Sequence, residues 1–196
     1  MDQFAVTMGK RNKLILLNCE SLNYSLIDAD FSPFKIVLLN TNVSHNLASS
    51  EYNTRREECE KGLSVIQENH PQYAFLAEVP GKIIESIKDS VSEKVYQRAL
   101  FVSRENTRTL KAAELIQEGN IQEFGALMYQ THEGLSKNYE VSCPELDFLV
   151  ERSKEFPQVV GSRMMGGGFG GCTINLVHEN FVDEFIVLAT NAYKKK

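Results

Sequence analysis

The run Gly166-Gly167-Gly168-Phe169-Gly170-Gly171-Cys172 lies between two apolar stretches, Val159–Met165 and Thr173–Val177. Five of the chain's 12 glycines fall within six positions. One or two suffice for a hairpin turn. A denser run implies a backbone that repeatedly takes left-handed angles and lets another group come close. The flanking segments, rich in Val, Ile, Thr and Leu, read as strands. The loop is therefore expected at the end of a sheet, where binding groups tend to sit. It is not G-x-G-x-x-G opening a helix, and no Lys-Ser/Thr follows, so neither dinucleotide nor Walker-type phosphate binding is supported. A close-packed hairpin, with bare backbone against a neighbour, accounts for the glycines equally well.

Composition narrows the class. The chain has 196 residues, 42% apolar and 24% charged, which fits one ordinary globular domain or slightly more. A net charge of −5 recommends neither nucleic acid nor an anionic membrane as partner. The basic end, Lys194-Lys195-Lys196, suits a helix C-terminus. No apolar run approaches the roughly 18 residues of a membrane span. Met1-Asp2-Gln3-Phe4 lacks the basic and apolar regions of a signal peptide. Cys19, Cys59, Cys143 and Cys172 are far apart, as are His45, His70, His132 and His178, so neither a disulfide framework nor a metal site is expected. A cytoplasmic location follows as an expectation.

The hydrophobic period changes along the chain. Lys13–Cys19 and Leu22–Leu26 suggest two strands joined by a tight turn, and Phe34–Asn40 a third after Pro33. From Ser49 a helix is expected, with Tyr52, Cys59, Leu63 and Ile66 on one face and Arg55, Arg56, Glu57, Glu58 and Lys61 opposite. A long helix runs from about Ser90 to Gln117, with Ser90-x-x-Glu93 as a capping box and Gly119 at C′. Asn120 with Glu123 restarts a helix, and Ser142-x-Pro144-Glu145 begins another. Asn180 with Asp183 opens the terminal helix. Strands, a block of helices, a strand–loop–strand unit and a helix spell an α+β fold, an antiparallel or mixed sheet with helices on one face.

Four segments in order also carry a family resemblance. Gly161–Cys172 resembles the third motif of the GHMP small-molecule kinases in its galactokinase form. His45–Glu60, containing Ser49-Ser50-Glu51-Tyr52-Asn53-Thr54-Arg55-Arg56, is similar to a second galactokinase stretch, and Tyr139–Asp147 to a third. Met1-Asp2-Gln3-Phe4, with Met8-Gly9-Lys10 following, resembles the segment around the family's catalytic aspartate. The resemblance covers the whole chain, yet the family's N-terminal galactose signature and its Gly-Leu-Ser-Ser-Ser phosphate loop have no counterpart. It implies a C-terminal half, with residues 1–30 a remnant of the inter-domain region and 31–196 the ferredoxin-like GHMP kinase C-terminal domain.

For chemistry, the resemblance implies transfer of the ATP γ-phosphoryl group to the anomeric hydroxyl of α-D-galactose, with ATP and Mg²⁺ as cofactors of the parent enzyme and the ATP-binding loop outside this chain. It makes Asp2 the catalytic carboxylate and Tyr52 the residue touching the sugar, with a core tyrosine on the Cys59–Leu63 face as the other reading. It places the loop Gly166, Gly167, Gly168, Gly170 and Gly171 beside the active cleft. Arg163 is open between a phosphate ligand and a structural ion pair. Two positions depart from the family: Met165 stands where Thr is common, and Phe101 where many relatives carry His. Galactose, ATP and the missing N-terminal domain are the implied partners. The isolated chain is expected to be inactive and to self-associate through apolar surface. A non-catalytic sugar sensor and an N-acetylgalactosamine kinase are the alternatives.

Overall fold

The computed structural model of the chain describes residues 2–44 and 48–195, the side chains of residues 2 and 48–50 excepted. Helix α1 (Asp2–Met8) leads into a hairpin of β1 (Lys13–Leu17) and β2 (Tyr24–Asp28), which forms its own two-stranded sheet. The edge of the Phe4 ring meets the Tyr24 ring at 5.3 Å, holding α1 on that hairpin. β3 (Phe34–Asn40) belongs to a second, three-stranded sheet with β4 (Val159–Met164) and β5 (Cys172–His178), in the order β3-β5-β4 and antiparallel throughout. Its registers pair Leu38 with Ile174 and Ser162 with Asn175. Between β3 and β4 lie α2 (Ala48–Gln67), α3 (Gly81–Glu85), α4 (Glu93–Gln117), α5 (Ile121–Glu133) and α6 (Pro144–Lys154); α7 (Val182–Tyr193) closes the chain.

The antiparallel α+β class read from the sequence is present, and the helical cover extends to both faces of the sheet rather than one. On one face α6 and α7 pack Leu149, Phe185 and Ala189 against Val37, Leu39 and Val177. Complete burial of a side chain such as Phe185 stabilises the fold by about 1.5–3 kcal/mol. On the other face α5 lies against β4, and glycine makes this possible. A Cβ on Gly125 would stand 2.1 Å from the Val160 carbonyl oxygen, and one on Gly161 would stand 2.6 Å from Gly125 Cα. Helix and strand backbones touch there, and Met128 packs against Leu176 beside them. On the same face no helix among the described residues covers β3, leaving Ile36 and Leu38 about half exposed.

Asn175, wholly buried on β5, knits the α6 side together. Its Nδ2 donates to the Val37 carbonyl (3.1 Å), and its Oδ1 accepts from Ser162 Oγ (2.6 Å) and Ser153 Oγ (3.1 Å). One amide thus spans β3, β5, β4 and α6. Such a network is specific only when every member is satisfied, as these are. α2 and α4 build a separate helical core around Ile66, Leu76, Ile84 and Ala99.

Helix ends follow local chemistry, with small displacements. Gly119 has φ +72° at C′ of α4, and the Asn120 N–H donates to the Leu115 carbonyl at 2.8 Å, the bond that closes a Schellman motif. Asn120 then caps α5 by accepting from the Glu123 N–H. The cap of α4 is Ser92, accepting from the Val95 N–H, rather than Ser90, whose own N–H is bonded to the Ile87 carbonyl at the end of the preceding turn. α6 begins at Pro144 as expected, but Cys143 holds the cap position. The Ser142 hydroxyl donates instead to Asp147 Oδ1, at 2.6 Å. A short 3₁₀ turn, Glu179–Phe181, precedes α7, and His178 rather than Asn180 supplies the accepting side chain there.

Candidate functional site

The glycine run forms the β4–β5 connection, and its backbone is left-handed at almost every step. Gly166, Gly168, Gly170 and Gly171 have φ of +79°, +89°, +139° and +81°, and Phe169 has +59°. Half of the loop is clamped. The Phe169 N–H donates to the Val141 carbonyl at 2.7 Å, and a Cβ on Gly168 would lie 2.0 Å from that same oxygen. A Cβ on Gly170 would lie 2.6 Å from the Val43 carbonyl oxygen. The Gly171 carbonyl accepts from Thr41 N–H (2.9 Å) and Thr41 Oγ1 (2.7 Å). The close-packed reading of the glycines thus holds for 168 and 170. At Gly166 and Gly167 a Cβ would meet nothing within 4 Å. Their backbone is an open lip.

The segment 138–141, which carries Val141 against the loop, is itself held by two arginines. Arg55 on α2 donates from Nε to the Tyr139 carbonyl (2.8 Å) and from Nη2 to the Glu140 carbonyl (3.2 Å). Arg98 on α4, almost wholly buried, donates to the Asn138 carbonyl, to Glu58 Oε2 (3.1 Å) and to Glu140 Oε2 (2.7 Å). Glu140 takes a left-handed φ of +52°, a conformation that costs a non-glycine residue about 1–2 kcal/mol. Burial works to raise the Glu140 carboxyl, but the Arg98 hydrogen bond and charge, with Lys94 and Arg55, outweigh it and hold the group below the usual carboxylate range. The ion pairs keep Glu140 charged and in place.

Arg55 therefore corrects an expectation. It is buried, not on the exposed face of α2. The positions 52, 55, 59, 63 and 66 form one helical stripe, and Arg55 fits within it because Glu51, Glu58 and two carbonyls satisfy its guanidinium. Tyr52, one turn earlier, is 59% exposed, which excludes the core-tyrosine reading. The Tyr139 phenol, within hydrogen-bonding reach of Cys59 Sγ, is pushed up first by burial, then by Cys59 and by the charge of Tyr52. The Tyr139 ring also stacks on Phe101 at 5.1 Å, so the family-departing Phe101 serves packing beneath segment 138–141. Met165, the other departure, is exposed at the loop's first turn.

α2, which carries Tyr52, and the glycine loop thus both meet segment 138–141, the one through Arg55 and the other through Val141. Asp2 is the first residue of α1, and its side chain lies outside the described residues, as do His45, Asn46 and Leu47. Arg163 on β4 makes no hydrogen bond or ion pair with any described residue. Among the described residues no group of three or more His, Cys, Asp or Glu is placed to hold a metal ion.

A second polar cluster, centred on the buried His132, escaped the sequence reading. His132 on α5 accepts from the Met164 N–H at Nδ1 (3.2 Å), and its Nε2 lies 3.1 Å from Asp147 Oδ1. Asp147 also accepts from Ser136 and Ser142. Burial pulls the imidazole below its ordinary value, and Asp147 offsets this only in part. A neutral ring, protonated at Nε2, satisfies both contacts. The bond to Met164 fixes the last residue of β4, immediately before the glycine loop.

Comparisons with known proteins place the fold. The model of the GHMP kinase C-terminal family matches residues 112–189. Galactokinase of Clostridium acetobutylicum is 43% identical over the whole of this chain and half of its own length. That of Fusobacterium nucleatum is 41% identical, again over the whole chain and 51% of its own length. In the crystal structure of Lactococcus lactis galactokinase complexed with galactose, a TM-score of 0.91 extends over 98% of this chain and 50% of that one, with 32% identity. Mevalonate kinase of L. major, at 18% identity and a TM-score of 0.60, shares the fold. The chain spans about half the length of the curated relatives it matches. It carries the C-terminal domain of the GHMP kinases and belongs to that family.

Proposed function

We propose that this chain is the C-terminal part of an ATP-dependent galactokinase, acting in the cytoplasm to form galactose 1-phosphate from α-D-galactose. The observation that carries the reading is the match of 98% of the chain to half of a galactokinase whose structure holds galactose. The other half of the site belongs to an N-terminal domain. Two features support that division at about residue 30: the β1–β2 hairpin forms a sheet of its own, and Ile36 and Leu38 leave an apolar strip uncovered. The same strip favours self-association of the isolated chain.

Phosphoryl transfer asks the protein mainly for positioning and charge stabilisation. ATP supplies the γ-phosphoryl group when bound. In this reading Asp2 orients the anomeric hydroxyl and accepts its proton, and Tyr52 presents its exposed phenol to the sugar. The Gly166–Gly167 lip borders the cleft, where bare backbone leaves room for substrate. Magnesium accompanies the nucleotide in the parent enzyme; among the described residues no group of three or more His, Cys, Asp or Glu is placed to hold it.

The test is complementation. The purified chain alone should give no galactose 1-phosphate from ATP and galactose. Mixed or co-expressed with the N-terminal half of the Clostridium acetobutylicum relative, it should give product, and Asp2→Asn should abolish it. Halves that associate and stay inactive would overturn the reading.

A further inference from the structure

We propose that His132 is a positioning residue for the glycine loop and that its ring works as a pH-sensitive latch: neutral, it holds the loop's entry at Met164, and protonated, it lets that entry go. The latch stands on geometry alone. Its effect on phosphoryl transfer rests on the sugar-kinase reading given above.

β4 is an edge strand. The Met165 N–H donates to the Cys172 carbonyl on β5 at 2.9 Å. Successive N–H groups of a strand point to opposite sides, so the Met164 N–H points away from β5. Met164 is buried, and a buried N–H requires an acceptor. His132 Nδ1 is that acceptor, at 3.2 Å. On the far side of the ring Nε2 meets Asp147 Oδ1 at 3.1 Å. The same oxygen accepts from the Ser142 hydroxyl at 2.6 Å. Ser142 follows Val141, whose carbonyl holds the Phe169 N–H at 2.7 Å. One imidazole and one carboxylate therefore join the residue that enters the loop to the residue that grips its middle.

The ring holds Met164 only while Nδ1 is an acceptor, which leaves its single proton on Nε2, toward Asp147. A second proton falls on Nδ1 and sets donor against donor. The Met164 N–H then loses its partner, a costly state for a buried group, and the imidazolium is driven off it. A cavity of about 380 Å³ opens beside the ring, walled by Asp147, Glu151 and Lys154 of α6, by Glu133 of α5, and by Ser136 and Lys137 of the following turn. Glu133 pairs with Lys137 and Glu151 with Lys154, so Asp147 is the unbalanced charge that receives the cation. Glu105 of α4 and Arg163 of β4 face the neighbouring Thr131 across a separate cavity. Burial holds the ring below its ordinary 6.5, with Asp147 opposing. The latch is thus closed at neutral pH and opens as pH falls through the folded value.

Hydrogen exchange of the purified chain, read at single amides by NMR, tests this. Between pH 7.5 and 5.0, after correction for intrinsic exchange, protection at Met164 should fall about tenfold more than at Phe185 in the core of α7. His132→Gln, whose side-chain oxygen still accepts, should keep the protection and lose its pH dependence. His132→Leu should exchange at every pH as the wild type does at pH 5.0. If that variant does not fold, Asp147→Asn, which removes the charge favouring the imidazolium, should move the transition to lower pH. In the complemented two-half enzyme, the KM for galactose should rise over the same interval and stay flatter in His132→Gln. Protection at Met164 that follows Phe185 at every pH, or that keeps its pH dependence in His132→Gln, would overturn the latch. A galactose KM with the same pH profile in both proteins would remove His132 as a positioning residue. Halves that form no product would overturn the sugar-kinase reading and leave the exchange result to decide the latch.

Discussion

Arg98 Nη2 stands 2.7 Å from Glu140 Oε2, and this contact ties a buried cation on α4 to the segment that clamps the glycine loop. The same guanidinium holds Glu58 on α2. Three pieces distant in sequence therefore meet at one side chain. Arg98→Met keeps the length of the aliphatic stem but leaves Glu58 and Glu140 only their longer contacts to Arg55, at 3.5 and 3.9 Å. Breaking a buried ion pair from one side costs about 3–5 kcal/mol. Glu140 is half exposed and recovers water, so a loss near the lower end, about 3 kcal/mol, is expected in urea denaturation. A change below about 1 kcal/mol would contradict a central role for Arg98.

Gly167 and Gly168 are neighbours with opposite tolerances. Gly168→Ala forces a Cβ into the Val141 carbonyl, at 2.0 Å, from a left-handed backbone at φ +89°. The obstructing atom is main chain, held by the Phe169 N–H, so it cannot swing aside. A loss of about 2 kcal/mol or more is expected. Gly167→Ala meets open space at a position without positive φ, and should stay within about 0.5 kcal/mol of the wild type. Thermal melts of the two variants side by side decide the matter; equal melting points would mean the clamp is not as described.

Gly125→Ala sets helix propensity against packing. Alanine is favoured over glycine in a helix by about 1 kcal/mol. The added methyl, however, would stand 2.1 Å from the Val160 carbonyl oxygen, so α5 must lift off β4. Forcing extra volume into such a contact costs about 1–3 kcal/mol. A net loss of stability by denaturant titration is expected, and a net gain would show that the helix and strand do not approach as closely.

What was legible in the sequence was what local chemistry dictates. Gly119 ends α4 because only a residue tolerant of φ +72° closes that turn, and Asn120 restarts α5 because its side chain accepts the Glu123 N–H. The glycine run announced a strand connection with close backbone contacts. Sorting by hydrophobicity failed where a charged group occupies a core register. Arg55 shares a stripe with Tyr52 and Cys59, and Arg98 follows Val95 by three residues, but the carbonyls that Arg55 holds and all the partners of Arg98 come from 40 or more positions away. Asn175 inside β5 is the same case, since its partners lie on β3, β4 and α6. The candidate site divides likewise. The loop was visible as composition, whereas the arginine-held segment joining it to α2 is a product of tertiary pairing.

His132 makes stability depend on pH in a definite direction. Its folded value lies below the ordinary 6.5 because burial disfavours the charged ring. The unfolded chain therefore binds the proton more readily, and its protonation favours unfolding. The contribution is complete above about pH 6.5 and is lost as pH falls through the folded value. Asp147, Glu151 and Lys154 on α6, with Glu133 and Lys137 beside His132, face the same pocket, so their charges must be carried unchanged in the comparison. His132→Gln retains an acceptor for the Met164 N–H and removes the titration. Its stability should vary less between pH 7.5 and 5.5 than that of the wild type, measured by urea unfolding; parallel curves would exclude His132 as the source.

Tyr52 offers the sharpest test of the proposed site because its side chain is 59% exposed and its removal costs the fold little. In Tyr52→Phe the ring and its packing remain, and only the hydroxyl is lost. If that hydroxyl holds galactose, one neutral hydrogen bond disappears, worth about 0.5–1.5 kcal/mol, or a few-fold to tenfold in kcat/KM for the sugar. The KM for ATP should stay unchanged, because the phenol is assigned to the sugar alone. The melting temperature should stay unchanged too, which separates loss of a substrate contact from loss of structure. Measured in the complemented two-half enzyme, wild-type kcat/KM for galactose in Tyr52→Phe would remove Tyr52 from the site.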